Sequence, residues 1–519
     1  MSIALLPVLA PIALGVAATL AFRGPQMRPS DALQKVEMAA LAALGLALLT
    51  ALSLILGGAA TSVTIGENGL GFSARLDAVS AVMLVLVSFV GWVVLRFSAT
   101  YMDGEARQGP FTGWLCATLA AVMLLVIAGN VFQLALTWIA TSLCLHKLLL
   151  FYPDRVAAQR AARKKWITAR LSDAALLLAV VLIYTHYGTG DIAEVLAIAK
   201  QAEWQSVSGW IAGLLAVAAI LKSAQFPTHG WLTEVMETPT PVSALLHAGV
   251  INAGGFLLIR MSDVMLLAPG VLAVLVMLGG FTALFGGLVM LTQSAVKTSM
   301  AWSTVAQMGF MILQCGLALF PLALLHIVTH SLYKAHAFLA SGTAVESVAA
   351  IRRPGPVAIP RGGAVGRAFV LALLIYAGVG LIFGLTGKSP QGIALGAILI
   401  FGVAYLLAQG LADAAPRVLT LRTAAFSVAA AFGYFALQTG SEWLMAGTLP
   451  PTPAPGPLEW ALIVLALLSF GLVAVAQAMF PLWAYHPAAA GLRVHLSNGL
   501  YANAVFDKLL GGWRTKRSS

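Results

Sequence analysis

Residues 208–248 read SGWIAGLLAVAAILKSAQFPTHGWLTEVMETPTPVSALLHA. An apolar run ends on Lys222, and Ser223, Gln225, Pro227 and His229 follow. Proline has no backbone N–H and interrupts a helix. The chain then passes Trp231, Glu234, Glu237, Pro239 and Pro241 before turning apolar again around His247. A charge at mid-bilayer costs at least about 2.5–3.5 kcal/mol, so it needs a use or a partner. The pattern predicts an interrupted membrane helix, with Lys222 at the break and Glu234 and Glu237 as candidate counter-charges. The plainer alternative is a lysine snorkelling at a helix end. The interrupting proline argues against it.

Working outward, the whole chain has this apolar character. Of 519 residues 60% are apolar and 9% charged, whereas a soluble domain carries roughly 25% charged residues. A helical span needs about 20 apolar residues. About fifteen such runs recur, near 2–22, 37–58, 76–97, 113–130, 131–152, 170–187, 208–226, 242–260, 264–291, 297–318, 321–346, 368–387, 391–410, 418–437 and 458–481. The first lacks a basic start and a small-residue cleavage site, and reads as a retained helix rather than a signal peptide. Backbone groups in lipid need internal partners, so the spans are helices. The fold class is an all-α polytopic membrane protein with about 14–15 transmembrane helices. Its lipid partner is the bilayer. No soluble domain is present, and no nucleic-acid partner is implied. The net charge of +11 fits topology better, because it sits in loops.

Three segments carry that charge. The 153–170 loop holds Arg155, Arg160, Arg163, Lys164, Lys165 and Arg170 against Asp154. The 347–367 loop holds Arg352, Arg353, Arg361 and Arg367. The tail beyond Trp483 holds Arg493, Lys508, Arg514, Lys516 and Arg517 against Asp507. Each follows an odd-numbered span, so all three share one side. By the positive-inside rule that side is cytoplasmic, with the N-terminus outside.

The ionisable residues within the spans are the candidate site. His326, His330 and Lys334 are spaced i, i+4, i+8 and line one helix face. Such groups can hand on a proton. Hydrogen-bonded core histidines are the bland alternative, and zinc is another, since i, i+4 histidines can bind it. No carboxylate or further ligand shares that face, so no metal site and no catalytic residue is assigned. His146 and Lys147 close the fifth span, where Lys147 has room to snorkel. Arg170 and Asp173 are spaced i, i+3, for a switchable or a purely structural ion pair. Cys116, Cys144 and Cys315 lie far apart in apolar runs and read as core. Lys388-Ser389-Pro390 echoes Lys222-Ser223 and Pro227 five spans later, as in an inverted repeat.

Several motifs carry a resemblance: Leu221 to Pro227, Trp231-Leu232, Met236-Glu237, Pro239 to Ala248, Ala301 to Gly309, and the His326/His330/Lys334 helix. Over about residues 70–410 the chain resembles the antiporter-like subunits of respiratory complex I and of multisubunit sodium/proton antiporters. The resemblance implies two inverted five-helix repeats with interrupted helices. We divide the chain at 1–111, 112–260 (first repeat), 261–410 (second repeat), 411–481 and 482–519 (an amphipathic cytoplasmic tail). It also implies a proton path through Lys147, Asp173, Lys222, His247, His326, His330 and Lys334. His146, Arg170, Glu234, Glu237 and Lys388 are secondary candidates.

There are departures. Trp138 is followed by Ile139, where those subunits place a glutamate, and their long lateral helix is missing. The tail His495 to Asn503 and the run Gly249 to Phe256 look most like the DabB family, membrane subunits of two-component inorganic-carbon complexes of the bacterial inner membrane. For that family the resemblance implies a soluble DabA-like zinc subunit, similar to a β-carbonic anhydrase, on the cytoplasmic side. Proton or sodium flow through the membrane subunit would drive CO2 hydration to bicarbonate there. Zinc is thus expected in the partner and no cofactor in this chain. A subunit of a cation/proton antiporter or a redox pump remains the alternative, and a non-conducting membrane anchor is a second one.

Overall fold

The structure is a computed structural model, and it describes residues 3–342, 361–411, 416–483 and 486–509. Arg352, Arg353, Arg514, Lys516 and Arg517, and the 343–346 end of the eleventh expected span, lie outside the described residues. Among the described residues each of the fifteen apolar runs falls mainly on helix. Twelve helices among the described residues are long and apolar enough to cross a membrane, which makes this a multi-pass membrane protein.

In chain order the helices are α1 (Leu9–Arg23), α2 (Ser30–Gly57), α3 (Ala78–Tyr101), α4 (Gln108–Val126), α5 (Val131–Leu149), α6 (Val156–Tyr187), α7 (Ile192–Gln201) and α8 (Ser206–Lys222). Next come α9 (Gly230–Thr233), α10 (Thr240–Ala248), α11 (Ala253–Arg260), α12 (Ser262–Leu266), α13 (Pro269–Met290), α14 (Val296–Gly316) and α15 (Phe320–Leu339). The last are α16 (Gly362–Ile382), α17 (Pro390–Gly410), α18 (Arg417–Met445), α19 (Pro457–Ala478), and two tail helices, α20 (Ala490–Ser497) and α21 (Ala502–Leu509). Helices α8, α14 and α15 are shorter or more polar than the twelve. They are also the ones that carry Lys222, Gln307 and the His326–Lys334 row.

The interruption expected after Lys222 is present. Helix α8 stops there, and helix resumes at Gly230. A second break divides α10 from α11, where Gly249 (φ −123°, ψ −81°) leads into a tight turn over Val250–Asn252. This α10–α11 rod is the centre of the bundle. Of its apolar window 94% is buried, against 17% for α19 at the periphery. It packs on α3 and α15, and α11 packs on α8. One apolar core runs from Ala10 to Phe338 and takes in Met445 and Leu496, and another holds α16 to α18 together.

One expectation needs correction. The 153–170 segment is no loop: α6 begins at Val156, so its charges ride on the first four turns of a long helix, and Lys164 and Lys165 are buried. The alanine-rich spacing there favours helix, and hydropathy alone misses a helix that continues past its apolar part. The 58–77 connection also holds two short antiparallel pairs, β1 (Ala60–Thr61) with β4 (Arg75–Leu76) and β2 (Ile65–Glu67) with β3 (Leu70–Phe72). Asn68 and Gly69 both have positive φ at the tight β2–β3 turn, as an Asn-Gly hairpin requires.

The alternating spans give the bundle two faces. On the hairpin face, Asn130 Nδ2 donates to Gly69 O at 3.0 Å, and Arg260 pairs with Asp77 at 2.5 Å. On the tail face, Arg155 pairs with Glu237 at 3.0 Å, and α21 lies against α9. The 153–170 charges and the described tail charges therefore share one face.

Candidate functional site

Two groups of buried ionisable side chains meet across the α10–α11 rod. The first surrounds the end of α8. Lys222 is buried, its Nζ donating to Ser142 Oγ at 3.0 Å and Trp138 O at 3.4 Å, and lying 4.4 Å from the centre of the Trp138 ring. Lys165 comes from α6 and donates to Ser142 O at 2.6 Å. One residue of α5 thus receives both lysines. Arg170 Nη2 lies 2.6 Å from Asp173 Oδ2, and the charges of Lys165, Arg170, Asp173 and Lys222 bear on one another. Asp173 is the sole carboxylate among these four side chains. Three cations in apolar surroundings repel one another, and Asp173 is placed to offset part of that repulsion.

The second group lies along α15. Lys334 Nζ donates to Met300 O at 3.0 Å. Thr304 Oγ1 also donates to Met300 O, at 3.0 Å, so it accepts from His247 Nδ1 at 3.0 Å. His247 then carries its proton on Nδ1, and its Nε2, which has no partner, is a free base. His330 Nε2 donates to His247 O at 3.1 Å. His326 Nδ1 bonds Gln314 Oε1 at 2.9 Å, leaving its Nε2 without a partner. The His326 and His330 rings are 5.9 Å apart. A cleft of about 350 Å³ between α14, α15, α17 and α18 is lined by His326, His330, Gln307, Gln314 and Tyr333.

Polar groups join the two. Ser223, next to Lys222, donates to Ile251 O at 3.2 Å. Asn252, next to Ile251, donates to Ser331 Oγ at 2.9 Å, and Ser331 follows His330. The break in the rod is what frees these backbone and side-chain groups at mid-span. These are separate hydrogen bonds between neighbouring helices, and water between them would complete a relay.

The structure thus brings the buried Asp173, Lys222, His247, His330 and Lys334 into one line, with the half-buried Arg170 and His326 at its edges. Lys147 is exposed on α5 and does not join. Its side chain sits about 100° round the helix from His146, which is half-buried with Nδ1 unpartnered. Lys388 is also apart, in the connection between α16 and α17, where it donates to Glu442 at 2.8 Å. Glu237 pairs at the tail face with Arg155, and Glu234 pairs there with Lys164 at 2.6 Å. Among the described residues no three His, Cys, Asp or Glu side chains gather as metal ligands would.

Sequence reasoning missed three members. Lys165 was counted as loop charge, yet it precedes Asp173 by two turns of one helix, the spacing that singled out His326 and Lys334. His229 is fully buried with neither ring nitrogen partnered, packed on Phe226, Phe285 and Trp302. Asn252 carries no charge and gave no signal beyond the glycines around it.

Comparison with known proteins agrees with this architecture. The family described as NADH:quinone oxidoreductase/Mrp antiporter, TM, matches residues 128–389. The complex I chain 5 N-terminus family matches residues 63–112. The probable inorganic carbon transporter subunit DabB2 of Halothiobacillus neapolitanus is 38% identical, over 92% of this chain and 88% of its own. The probable inorganic carbon transporter subunit DabB of Hydrogenovibrio crunogenus is 45% identical, over 52% of this chain and 53% of its own. The fold resembles a chain in the structure of the Mrp complex from Dietzia sp. DQ12-45-1b, with a TM-score of 0.64 at 22% identity, covering 100% of this chain and 61% of that one. The chain therefore belongs to the antiporter-like membrane subunits shared by NADH:quinone oxidoreductase and Mrp complexes, and within them to the DabB inorganic carbon transporter subunits.

Proposed function

We propose that this chain conducts protons along the buried line from Asp173, Lys165 and Lys222 to His247, His330, His326 and Lys334. The flow would power inorganic-carbon capture, CO2 to bicarbonate, in a soluble zinc-carrying partner of the DabA kind docked on the tail face. In this reading the tail face is cytoplasmic, since it carries Arg155, Arg160, Arg163, Arg493 and Lys508. The N-terminus is outside, and the membrane is a bacterial inner membrane. The inverted repeats 112–260 and 261–410 belong to the same proposal, with the break after Lys222 as the first repeat's interruption.

The observation that carries the reading is the polar connection through Ser223, Asn252 and Ser331, which joins two groups of buried bases at the break of the most buried helix pair. A membrane anchor would need none of these groups. Chemistry on carbon is assigned to the partner, because the buried line offers proton acceptors and no activated nucleophile. Bicarbonate accumulation in cells tests the coupling. The Lys222→Ala and Lys334→Ala variants, present in the membrane at normal amount, are expected to lose accumulation by about tenfold or more. Full accumulation in both would remove this path. Normal accumulation accompanied by lost sodium/proton exchange would favour the antiporter reading instead.

A further inference from the structure

A proton path through the bundle needs an exchange site on the tail face. Lys164, one position before Lys165, supplies a candidate. Its side chain is 2% exposed, yet its Nζ lies 2.6 Å from Glu234 Oε1 and 2.6 Å from Asp507 Oδ1. Asp507 belongs to α21 in the tail. Both carboxylates are three-quarters buried or more, and Glu234 Oε2 has no partner. Two acidic side chains from different parts of the chain thus share one buried ammonium.

The tail is held there by more than charge. Asn503 Nδ2 donates to Thr233 Oγ1 at 3.3 Å. Its amide also fills the space that a Cβ on Gly230 would need, 1.9 Å from that position. Leu496 is buried, and Gln293 Nε2 donates to Ser497 O at 3.4 Å. The tail thus closes over the segment that resumes after the α8 break.

A second observation points inward from this cluster. His229 stands in the interrupted segment between Lys222 and Glu234, is fully buried, and has both ring nitrogens without partners. Lys164 is the charge that bears on it. An imidazole with two idle nitrogens, in the stretch of chain that runs from Lys222 to Glu234, is free to take up a proton on either one.

We infer that Lys164, Glu234 and the tail's Asp507 form the tail-face proton-exchange site of this chain, with His229 as the link to Lys222. The C-terminal tail is therefore part of the conduction path and not merely a docking arm. A partner that draws α21 away would remove one of the two carboxylates and break the path, which couples the partner's position to flow.

This inference rests on the proton-conducting reading, and the test separates the two. The full chain, with its co-purifying partner, is reconstituted in liposomes, and proton flux under an imposed potential is read with an entrapped pH dye. Lys222→Ala reports the reading itself: if it conducts like the parent, that reading fails, and this inference with it. Given loss of flux in Lys222→Ala, Asp507→Asn and Glu234→Gln are each expected to lose about tenfold. Asn and Gln keep the size and a hydrogen bond to Lys164 but cannot hold the proton. Asp507→Glu is expected to recover most of the flux lost in Asp507→Asn. Parental flux in Asp507→Asn overturns the site while leaving the rest of the path standing. Equal loss in Asp507→Asn and Asp507→Glu assigns Asp507 a docking role alone and also overturns it.

Discussion

At the scale of single residues the account turns on how cations are kept in an apolar bundle. Lys222 and Lys165 are not held by a facing carboxylate each. They share one residue, Ser142, through its hydroxyl and its carbonyl, and they share Asp173 electrostatically. Lys165→Met keeps the stem and removes the ammonium, so it is expected to leave the fold intact and lower proton flux about tenfold. Unchanged flux would make Lys165 a packing residue. Asp77 is a structural counterpart, just outside α3. Burial pushes its carboxyl up, but Arg260 and Arg75 at 2.5 and 2.6 Å outweigh burial and hold it below the usual carboxylate range. A depressed carboxylate adds stability above its unfolded value, about 3.9, and loses it as pH falls further. Melting in detergent is thus expected to be flat above about pH 5 and to fall below about pH 4. Asp77→Asn is expected to lower stability by about 3 kcal/mol at neutral pH, since it leaves Arg260 buried without its charge partner, and to flatten the acid fall.

Much of this layer was legible in the sequence, and the reason is cost. A His or Lys in an apolar run stands out because its burial is expensive, which is how Lys222, His247 and the His326–Lys334 row were found. Lys165 was hidden because it lies where a span shades into a charged segment. Lys147 misled because one step along a helix turns a side chain by about 100°, and periodicity cannot say which step faces the core. Asn252 and Ser142 are neutral, and their role follows from contacts between helices.

At the scale of elements, the break between α10 and α11 does for the centre what Pro227 does for α8: it exposes backbone and amide groups inside the bundle. The break works because α8 approaches α11 closely. A Cβ on Gly254 would lie 2.2 Å from Ser223 Oγ and 2.5 Å from Ala219 O, so glycine sets the distance between Lys222's helix and the rod. Gly254→Val is expected to push α8 away, lower flux about tenfold and reduce thermal stability by about 2 kcal/mol. Gly270→Ala, at a position with open space around it, serves as the control and should change neither. Wild-type flux in Gly254→Val would show that the α8–α11 spacing does not matter for conduction. The existence of the long apolar helices was readable from run length, and that of the short α7 and α9 was not. Their breaks were readable at Pro227 and not at Gly249, because a glycine among apolar residues is compatible with an unbroken membrane helix. The β2–β3 hairpin is signalled by Asn68-Gly69, a dipeptide that favours tight hairpin turns.

At the scale of the whole molecule, odd and even spans agree with the two faces. The hairpins and the Asp77–Arg260 pair gather on one side, and α6's basic start, Glu234 and the tail on the other. The buried line runs between them, displaced sideways by the rod's break. The central claim is that this line carries protons. The most direct measurement is proton flux into liposomes holding the purified full chain, with its co-purifying partner, comparing the parent with Lys222→Ala at equal incorporation. The account predicts potential-driven acidification or alkalinisation in the parent and a loss of about tenfold or more in the variant. Equal flux in the two, or no flux in the parent above protein-free vesicles, would contradict it.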